Sequence, residues 1–386
     1  MSSAIVAASY DPITLGHLNI IERALEVFDH ILVGIGINPQ KKYTFTLEKR
    51  EQMARDVLKK YGDRVSVKSY SGLLADFAYE NQIKTIVRGA RNSVDFDFER
   101  MLSDVNQGFQ MGIDTYILVA DQALSHISSS TAKELQRNQA KNVKDYVPLI
   151  VKQALEIGIS KQYLIGVTGL IGNGKSYITK KLVSLNQGHY LTGNFLIPIH
   201  SIDMDELGRY ILKESQEPLH ISIRKKIADH FGKDLLVEGV LDVNKLLSLI
   251  FDCAEAPALR STFEGIMEEP LTHLFRRKLK TMDGIILINS ALFVESNICD
   301  LVNNNILYIA CPEEIRVEHL KGRGYSDQQI ANRLQAQLSE EDKISKIQKL
   351  IDEKACGNII KFNNSEKDID VSTLYDILVS YCRGLR

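Results

Sequence analysis

Short apolar runs alternate with longer amphipathic stretches along the whole chain. In the first half, Ala4 to Ala8, His30 to Ile35, Val65 to Ser69, Thr85 to Val87 and Thr115 to Val119 have the length and branching of buried strands. After the first of them Leu18, Ile21, Leu25 and Phe28 recur at steps of three and four, which puts them on one helix face. Strands separated by helices form β-α units, and right-handed crossovers then give a parallel sheet with helices on both sides. Val143 to Ile157 reads as a closing helix, and Gly158, Ser160 and Lys161 as a polar connection to a fresh strand, Tyr163 to Val167. The alternation then resumes with Ile199 to Ile202, Ile285 to Asn289, Ile306 to Ala310 and Ile359 to Phe362. The expected fold class is α/β, with two doubly wound parallel-sheet domains, a Rossmann-like one over residues 1–158 and a second over 162–386. Neither half repeats the other, and the polar Asn186 to Asn194 reads as a loop.

Composition narrows the function classes. The 386 residues exceed what one core usually spans, and 44% apolar with 25% charged residues is the balance of a folded soluble protein. Lys plus Arg number 47 and Asp plus Glu 49, a net charge of −2, so no broad field marks a binder of nucleic acid or of membrane surfaces. An anionic ligand must therefore be held locally. No apolar run approaches the roughly 18 residues of a membrane helix, and Met1 to Tyr10 lacks a basic n-region, so a cytoplasmic location is expected. Cys253, Cys299, Cys311, Cys356 and Cys382 are widely spaced without a C-x-x-C pair, which argues for reduced, structural thiols rather than disulfides or zinc ligands.

The second half opens with phosphate chemistry. Residues 169 to 176, Gly-Leu-Ile-Gly-Asn-Gly-Lys-Ser, match G-x-x-x-x-G-K-[ST] between a strand and the helical Ile178 to Leu185. Gly169, Gly172 and Gly174 allow consecutive N–H groups around Asn173 to turn toward a phosphate. Lys175 then reaches the β- and γ-phosphates of ATP and Ser176 offers an oxygen to Mg²⁺. Asp203 and Asp205 follow the next strand, where one carboxylate can accept a hydroxyl proton; the alternative is a helix N-cap by either. Arg209, four residues after Asp205, suits either an ion pair with it or a substrate phosphate. Arg316, Lys321 and Arg323 cluster before a helix, as a lid over phosphate or as a solvated face.

In the first half Ser9-Tyr10-Asp11-Pro12-Ile13-Thr14-Leu15-Gly16-His17 follows the first strand, with a helix beginning at about Gly16. An imidazole there can donate to phosphate oxygens whose charge grows in a transition state; the alternative is that His17 caps its helix. Asn38 to Lys42, Ser71 and Gly72, Arg88 to Arg91, and Ser125 to Thr131 each come just after a successive strand. In a parallel sheet those positions share one edge. Lys41, Arg88 and Arg91 are thus expected to converge with His17, while the run Ser128 to Thr131 supplies hydroxyls and N–H donors at a helix start.

On these residues the first half, to about 157, resembles bacterial-type phosphopantetheine adenylyltransferase. The shared motifs are 10–17, Asn38-Pro39-x-Lys41-Lys42, Ser71 to Phe77, Val87-Arg88-Gly89-x-Arg91, Asp95-Phe96-x-Phe98-Glu99 and Ile127 to Ser130. The resemblance implies that His17 and Lys41 engage the reacting phosphates and that Ser9, Lys41, Leu74 and Arg88 hold phosphopantetheine. It further implies that Ser9, Tyr10, His17, Gly89, Ala90, Arg91, Glu99, Leu124, Ser125, His126, Ile127, Ser128, Ser129 and Ser130 surround ATP. Ala7 and Ala8 stand where that family usually has Pro-Gly, and Leu124 where it has Trp or Tyr.

Residues 162 to 386 resemble dephospho-coenzyme A kinase through the glycine-rich segment, Ile-Asp-Met-Asp at 202 to 205 with Arg209, Lys321 to Arg323, and Arg-Leu-Gln-Ala-Gln at 333 to 337. That family implies Asp205 as base, Lys175 on the transferred phosphate, Arg209 on the substrate, and ATP held by Gly169, Gly172, Asn173, Gly174, Lys175, Ser176, Tyr177 and Arg323. Glu269 stands where His is usual, Ala291 where Pro is, Tyr177 where Thr is, and Asn186 to Leu196 reads as an insertion. Together the halves resemble the bifunctional coenzyme A synthases. The implied substrates are the small molecules ATP, 4'-phosphopantetheine and dephospho-coenzyme A, with Mg²⁺ as cofactor and no nucleic-acid or membrane partner. A homo-oligomer through the first domain is compatible with this. Two rivals remain at this level: a nicotinamide mononucleotide adenylyltransferase fused to a ribosylnicotinamide kinase, and a regulatory nucleotide-binding protein with a decayed site.

Overall fold

Each strand-like run of the sequence is a strand in the computed structural model. It describes residues 2–385 apart from 188–196, 238, 252–255, 291–292, 323, 325, 329, 331–333, 335–336 and 366–369, and apart from the side chains of 186, 187, 247, 251, 256 and 257. The chain divides into two units, Met1–Lys161 with Ile351–Cys356, and Gln162–Leu350 with Gly357–Arg386.

In the first unit β1 (Ser3–Ala8), β2 (His30–Ile37), β3 (Val65–Ser71), β4 (Thr85–Ala90) and β5 (Asp114–Val119) form a parallel sheet in the order β3-β2-β1-β4-β5. The intervening helices are α1 (Leu15–Leu25), α2 (Leu47–Leu58), α3 (Leu74–Glu80), α4 (Ser93–Gly108), α5 (Ser129–Arg137) and α6 (Leu149–Leu155). β1 shows why the sheet is covered twice. Its Ala4 and Val6 join Ile21, Ala24, Ile31 and Val33 in one core, while Ile5 and Ala7 join Leu32, Ala75, Phe77 and Ile86 in another. Alternate residues of a strand face opposite sides, so a strand apolar at every position needs helices on both.

Two local expectations change. Arg88 to Ala90 belong to β4 rather than to a loop after it, because they pair with Ile117 to Val119 of β5. The closing helix expected over 143–157 is instead a 3₁₀ turn at Lys141–Asp145, α6, and a π turn at Glu156–Ser160. Pro148 sits at the N-cap of α6, and a residue before proline is driven away from helical backbone.

In the second unit β6 (Gln162–Thr168), β7 (Ile199–Asp203), β10 (Gly284–Asn289), β11 (Asn305–Ala310) and β12 (Asn358–Asn363) are parallel in the order β12-β11-β6-β10-β7. A hairpin, β8 (Leu236–Val237) with β9 (Val240–Leu241), is too short for sequence periodicity to announce. Helices α7 (Lys175–Gln187), α8 (Met204–Arg209), α9 (Pro218–Phe231), α10 (Val243–Phe251), α11 (Ala256–Leu279) and α12 (Glu313–Lys321) are followed by helices at Glu340–Lys354 and Ser372–Gly384. Residues 186 and 187 extend α7, and the rest of the expected loop and insertion lies outside the described residues, as does Ala291. Every residue of β6, β10 and β11 is buried. From β6 the chain builds β7 and β10 on one side and then crosses to β11 and β12 on the other, so the direction of winding reverses at β6 and its carboxyl end is where a ligand crevice is expected. Among the described residues no helix is long and apolar enough to cross a membrane.

Candidate active sites

The first site is built on the turn between β1 and α1. Tyr10 there has left-handed backbone (φ 45°) and is buried, its hydroxyl donating to the Val6 carbonyl at 3.1 Å. Its ring lies 4.9 Å from the His17 imidazole. Thr14 caps α1: its Oγ1 accepts from the His17 N–H at 3.4 Å, and its own N–H donates to His17 Nδ1 at 3.0 Å. His17 therefore does cap its helix, but with one nitrogen only. A neutral ring whose Nδ1 accepts from an amide carries its proton on Nε2, which makes Nε2 a donor. Burial, and then the positive charges of Arg91 and Arg88, hold the imidazole down to about 4, so the ring is neutral near pH 7.

Arg88 directs Nε and Nη2 to Glu99 at 2.6 and 2.8 Å and Nη1 to the Ala7 carbonyl at 2.6 Å. Arg91 pairs with Asp95 at 2.9 Å. These two arginines are thus brought electrostatically to His17. Lys41 is not: it is exposed on the loop after β2, and its ammonium bonds none of these groups. Among the remaining expected residues, Ser128 caps α5 by accepting from the Thr131 N–H at 3.0 Å, and Ser129 Oγ donates to the Pro12 carbonyl at 2.7 Å. Ser130 is exposed, Ser125 bonds the Gln122 carbonyl, His126 packs edge-on against Tyr146, and Ile127 is buried. Leu74 opens α3, Leu124 ends a short 3₁₀ turn, Ala90 is buried, and a Cβ on Gly89 would meet Ile20 at 2.8 Å.

The second site is the loop from β6 to α7. Gly172 (φ 83°) and Gly174 (φ 81°) take left-handed backbone, and a Cβ would meet the Arg316 carbonyl at 2.8 Å or Asn364 Nδ2 at 2.3 Å. The loop is gripped from three segments. His319 Nδ1 bonds the Gly172 carbonyl at 2.7 Å, Gln337 Oε1 accepts from the Ile171 N–H at 2.8 Å, and Asn364 Nδ2 donates to the Asn173 carbonyl at 3.0 Å. Asn173 itself is buried, donating to the Ile309 carbonyl. Lys175 folds its ammonium back onto the carbonyls of Gly169 and Leu170 at 3.2 and 3.1 Å, and Tyr177 is exposed.

The carboxylate pair resolves in the structure. Asp203 caps α8, its Oδ1 accepting from the N–H groups of Asp205 and Glu206 at 3.0 and 3.2 Å, while its Oδ2 accepts from Ser176 Oγ at 3.4 Å. The Asp205 carboxylate takes part in no such cap. Asp205 is exposed, yet the protein crowding it on one side and then the neighbouring Asp203 charge push its pKa up, against Lys175 and Arg209. Arg209 forms no ion pair with Asp205 and lines a cavity of about 560 Å³ with Glu206, Tyr210, Glu214 and Arg277. Arg316 is buried and paired with Glu313 rather than lying on a solvated face, and Lys321 pairs with Asp327 at 3.0 Å. Arg323 lies outside the described residues.

Comparison with known proteins sets these sites in families. A dephospho-CoA kinase family model matches residues 163–357 and a cytidylyltransferase-like one residues 5–135. The phosphopantetheine adenylyltransferase of Porphyromonas gingivalis is 42% identical over 148 residues, 38% of this chain and 93% of that protein. That of Clostridium kluyveri is 44% identical over 135 residues, 35% of this chain and 82% of its own. The chain belongs to both families. A solved structure, TT1252 from Thermus thermophilus, is 21% identical with a TM-score of 0.41, covering 58% of this chain and 98% of its own. As a phosphopantetheine adenylyltransferase joined to a dephospho-CoA kinase, the chain is a bifunctional transferase of the last two steps of coenzyme A biosynthesis, and the nicotinamide pairing is not favoured.

Sequence reasoning passed over several residues that build the two candidate sites. Asp11 stands inside the quoted motif, yet nothing marked its carboxylate as the acceptor for the amides of Thr44 and Phe45 and for Lys133. Arg50 is buried on α2 and donates to the Ser9 and Gly36 carbonyls. His319 and Asn364 likewise reach the kinase loop from far along the chain. Each contact joins distant segments, so no local spacing signals it.

Proposed function

We propose that residues 1–158 transfer the adenylyl group of ATP to 4'-phosphopantetheine, releasing pyrophosphate, and that 162–386 then phosphorylate the 3'-hydroxyl of the resulting dephospho-coenzyme A. Both steps are in-line attacks on an ATP phosphorus, in which positioning and charge neutralisation supply most of the rate. In the first step the nucleophile is a phosphate oxygen, already ionised, so no base is required. The site needs donors, and His17 Nε2–H, Lys41, Arg88 and Arg91 meet the charge that passes to pyrophosphate. Ser9, Lys41, Leu74 and Arg88 hold phosphopantetheine; Tyr10, Gly89 to Arg91, Glu99 and 124–130 hold ATP.

The second nucleophile is a hydroxyl and must lose a proton. Asp205 takes it, since its raised pKa improves the match to that task while Asp203 is committed to its cap. Gly169 to Ser176 cradle the phosphates, with Lys175 swinging from its own carbonyls onto them. Ser176 Oγ and Asp203 Oδ2, oxygen donors 3.4 Å apart, fit Mg²⁺, which when bound supplies charge neutralisation on the ATP phosphates. A cytoplasmic location accords with ATP as donor for both steps. Self-association through the first domain is supported by α4, whose Val94, Phe98, Met101 and Val105 form one exposed stripe with the symmetric spacing an antiparallel copy of itself would match.

The observation that carries this reading is the single free donor of His17, a neutral imidazole pinned through Nδ1 at the carboxyl edge of the first sheet. The test is to incubate the purified chain with 4'-phosphopantetheine, ATP and Mg²⁺ and to identify products by mass. Coenzyme A formed with no other enzyme present is expected. Arrest at dephospho-coenzyme A would remove the kinase assignment, and no product at all would favour a regulatory protein with decayed sites.

A further inference from the structure

The segment carrying Lys41 has little packing to hold it. Residues 38 to 42 are all exposed, and the bonds at the start of the loop are internal: Asn38 N–H to Tyr43 Oη at 2.7 Å and Gln40 N–H to Asn38 Oδ1 at 2.9 Å. Its far end is held by the Arg50 guanidinium 3.9 Å over the Tyr43 ring, by the buried Phe45 side chain, and by one carboxylate from another part of the chain that takes the backbone amides. Asp11 accepts from the N–H of Thr44 at 3.0 Å and of Phe45 at 3.0 Å, and from Lys133 Nζ of α5 at 2.9 Å, with only 4% of the residue exposed. Burial alone would raise its pKa, but Lys133 and the two amides outweigh it and hold the carboxyl below its ordinary value. The same turn carries Tyr10, against the His17 ring, and Pro12, whose carbonyl accepts from Ser129.

One buried charge thus gathers the His17 turn, the Lys41 loop and α5. A buried carboxylate is costly unless paired, so three donors at this point mark a site where geometry matters. We propose that Asp11 is a positioning residue for adenylyl transfer, fixing the Lys41 loop against the His17 turn so that the two phosphate donors act as one. The proposal rests on the assignment of His17 and Lys41 to the reacting phosphates. Asp11→Asn keeps the shape but replaces one acceptor oxygen by an NH₂ and leaves Lys133 without its counter-charge. The amide bonds that set the direction of the loop end are then weakened while Phe45 stays buried, and more of the ordering of Lys41 falls within the reaction.

The test is a double-mutant cycle on adenylyl transfer with Lys41→Ala, Asp11→Asn and both together. Asp11→Asn is expected to lower kcat by about 10- to 100-fold with a much smaller change in KM for ATP, and the effect of Lys41→Ala should shrink at least about tenfold in the Asp11→Asn background. Multiplying effects would overturn the proposal and leave the Lys41 assignment standing. No loss from Lys41→Ala alone would instead overturn that assignment, and the proposal with it. If thermal melting shows Asp11→Asn unfolded at the assay temperature, the cycle is run with Lys133→Gln, for which the same shrinkage is expected and simple multiplication is equally decisive.

Discussion

At the scale of single residues the two sites differ by what their nucleophiles need. If His17 serves the first as a donor, as proposed, His17→Ala should lower the kcat of adenylyl transfer by roughly 10²-fold, with a smaller change in ATP binding and none in the kinase rate. An unchanged kcat would reduce His17 to a cap. The imidazole also leaves a mark on stability. Unfolded it takes up a proton near its ordinary 6.5, folded only near about 4, so the unfolded chain binds more protons between those values and stability falls as pH drops through that window. Melting of His17→Asn from pH 7 to pH 4 should show a shallower loss than wild type, and an equal slope would place the effect elsewhere. In the second site Asp205→Asn should cut kinase kcat by roughly 10²-fold at an unchanged thermal midpoint, since Asp203 and not Asp205 holds the helix cap. Full turnover in a stable Asp205→Asn variant would eliminate the base.

The elements matter through how tightly they constrain their turns. The kinase loop is braced by α12, by Gln337 and by Asn364, and Gly172 lies so close to the Arg316 carbonyl that any side chain must displace backbone. Gly172→Ala adds both that clash and a left-handed strain of about 1–2 kcal/mol. It should abolish ATP binding at the kinase site by calorimetry and lower its melting point, and retained affinity would show the loop to be softer than its contacts. The strands themselves were legible because each is an apolar run between helical periods. The short hairpin β8-β9 and the break at Pro148 were not, the first for want of length and the second because an amphipathic period continues across a backbone that cannot.

At the scale of the molecule each sheet has its own order and its own candidate phosphate turn, and the two candidate sites fall in different units. Lys175→Ala should therefore stop the kinase step while adenylyl transfer proceeds, so dephospho-coenzyme A accumulates in the coupled reaction. Wild-type output of coenzyme A from that variant would mean the glycine-rich loop is not the kinase's ATP site.

Local order along the chain was enough to establish two α/β halves, the glycine-rich loop after β6 and the histidine at the start of α1, because these depend on periodicity and on turn residues that act within a few positions. What the chain order left open was which of several similar groups does what. Asp203 and Asp205 are equivalent as letters; only the direction of α8 makes one the cap and frees the other. Arg88 reads as a phosphate ligand without a sign of Glu99, the partner that the fold sets beside it, and Arg316 reads as part of a phosphate lid or of a solvated face, where the fold buries it next to Glu313. Asp11 had no signal of its own, since its partners come from residues 44, 45 and 133 and meet only when the sheet edge is assembled. Hydrogen bonds and charge act over a few ångströms of space, so roles that depend on them are settled by tertiary packing, while the elements that bring them there are written in the local pattern.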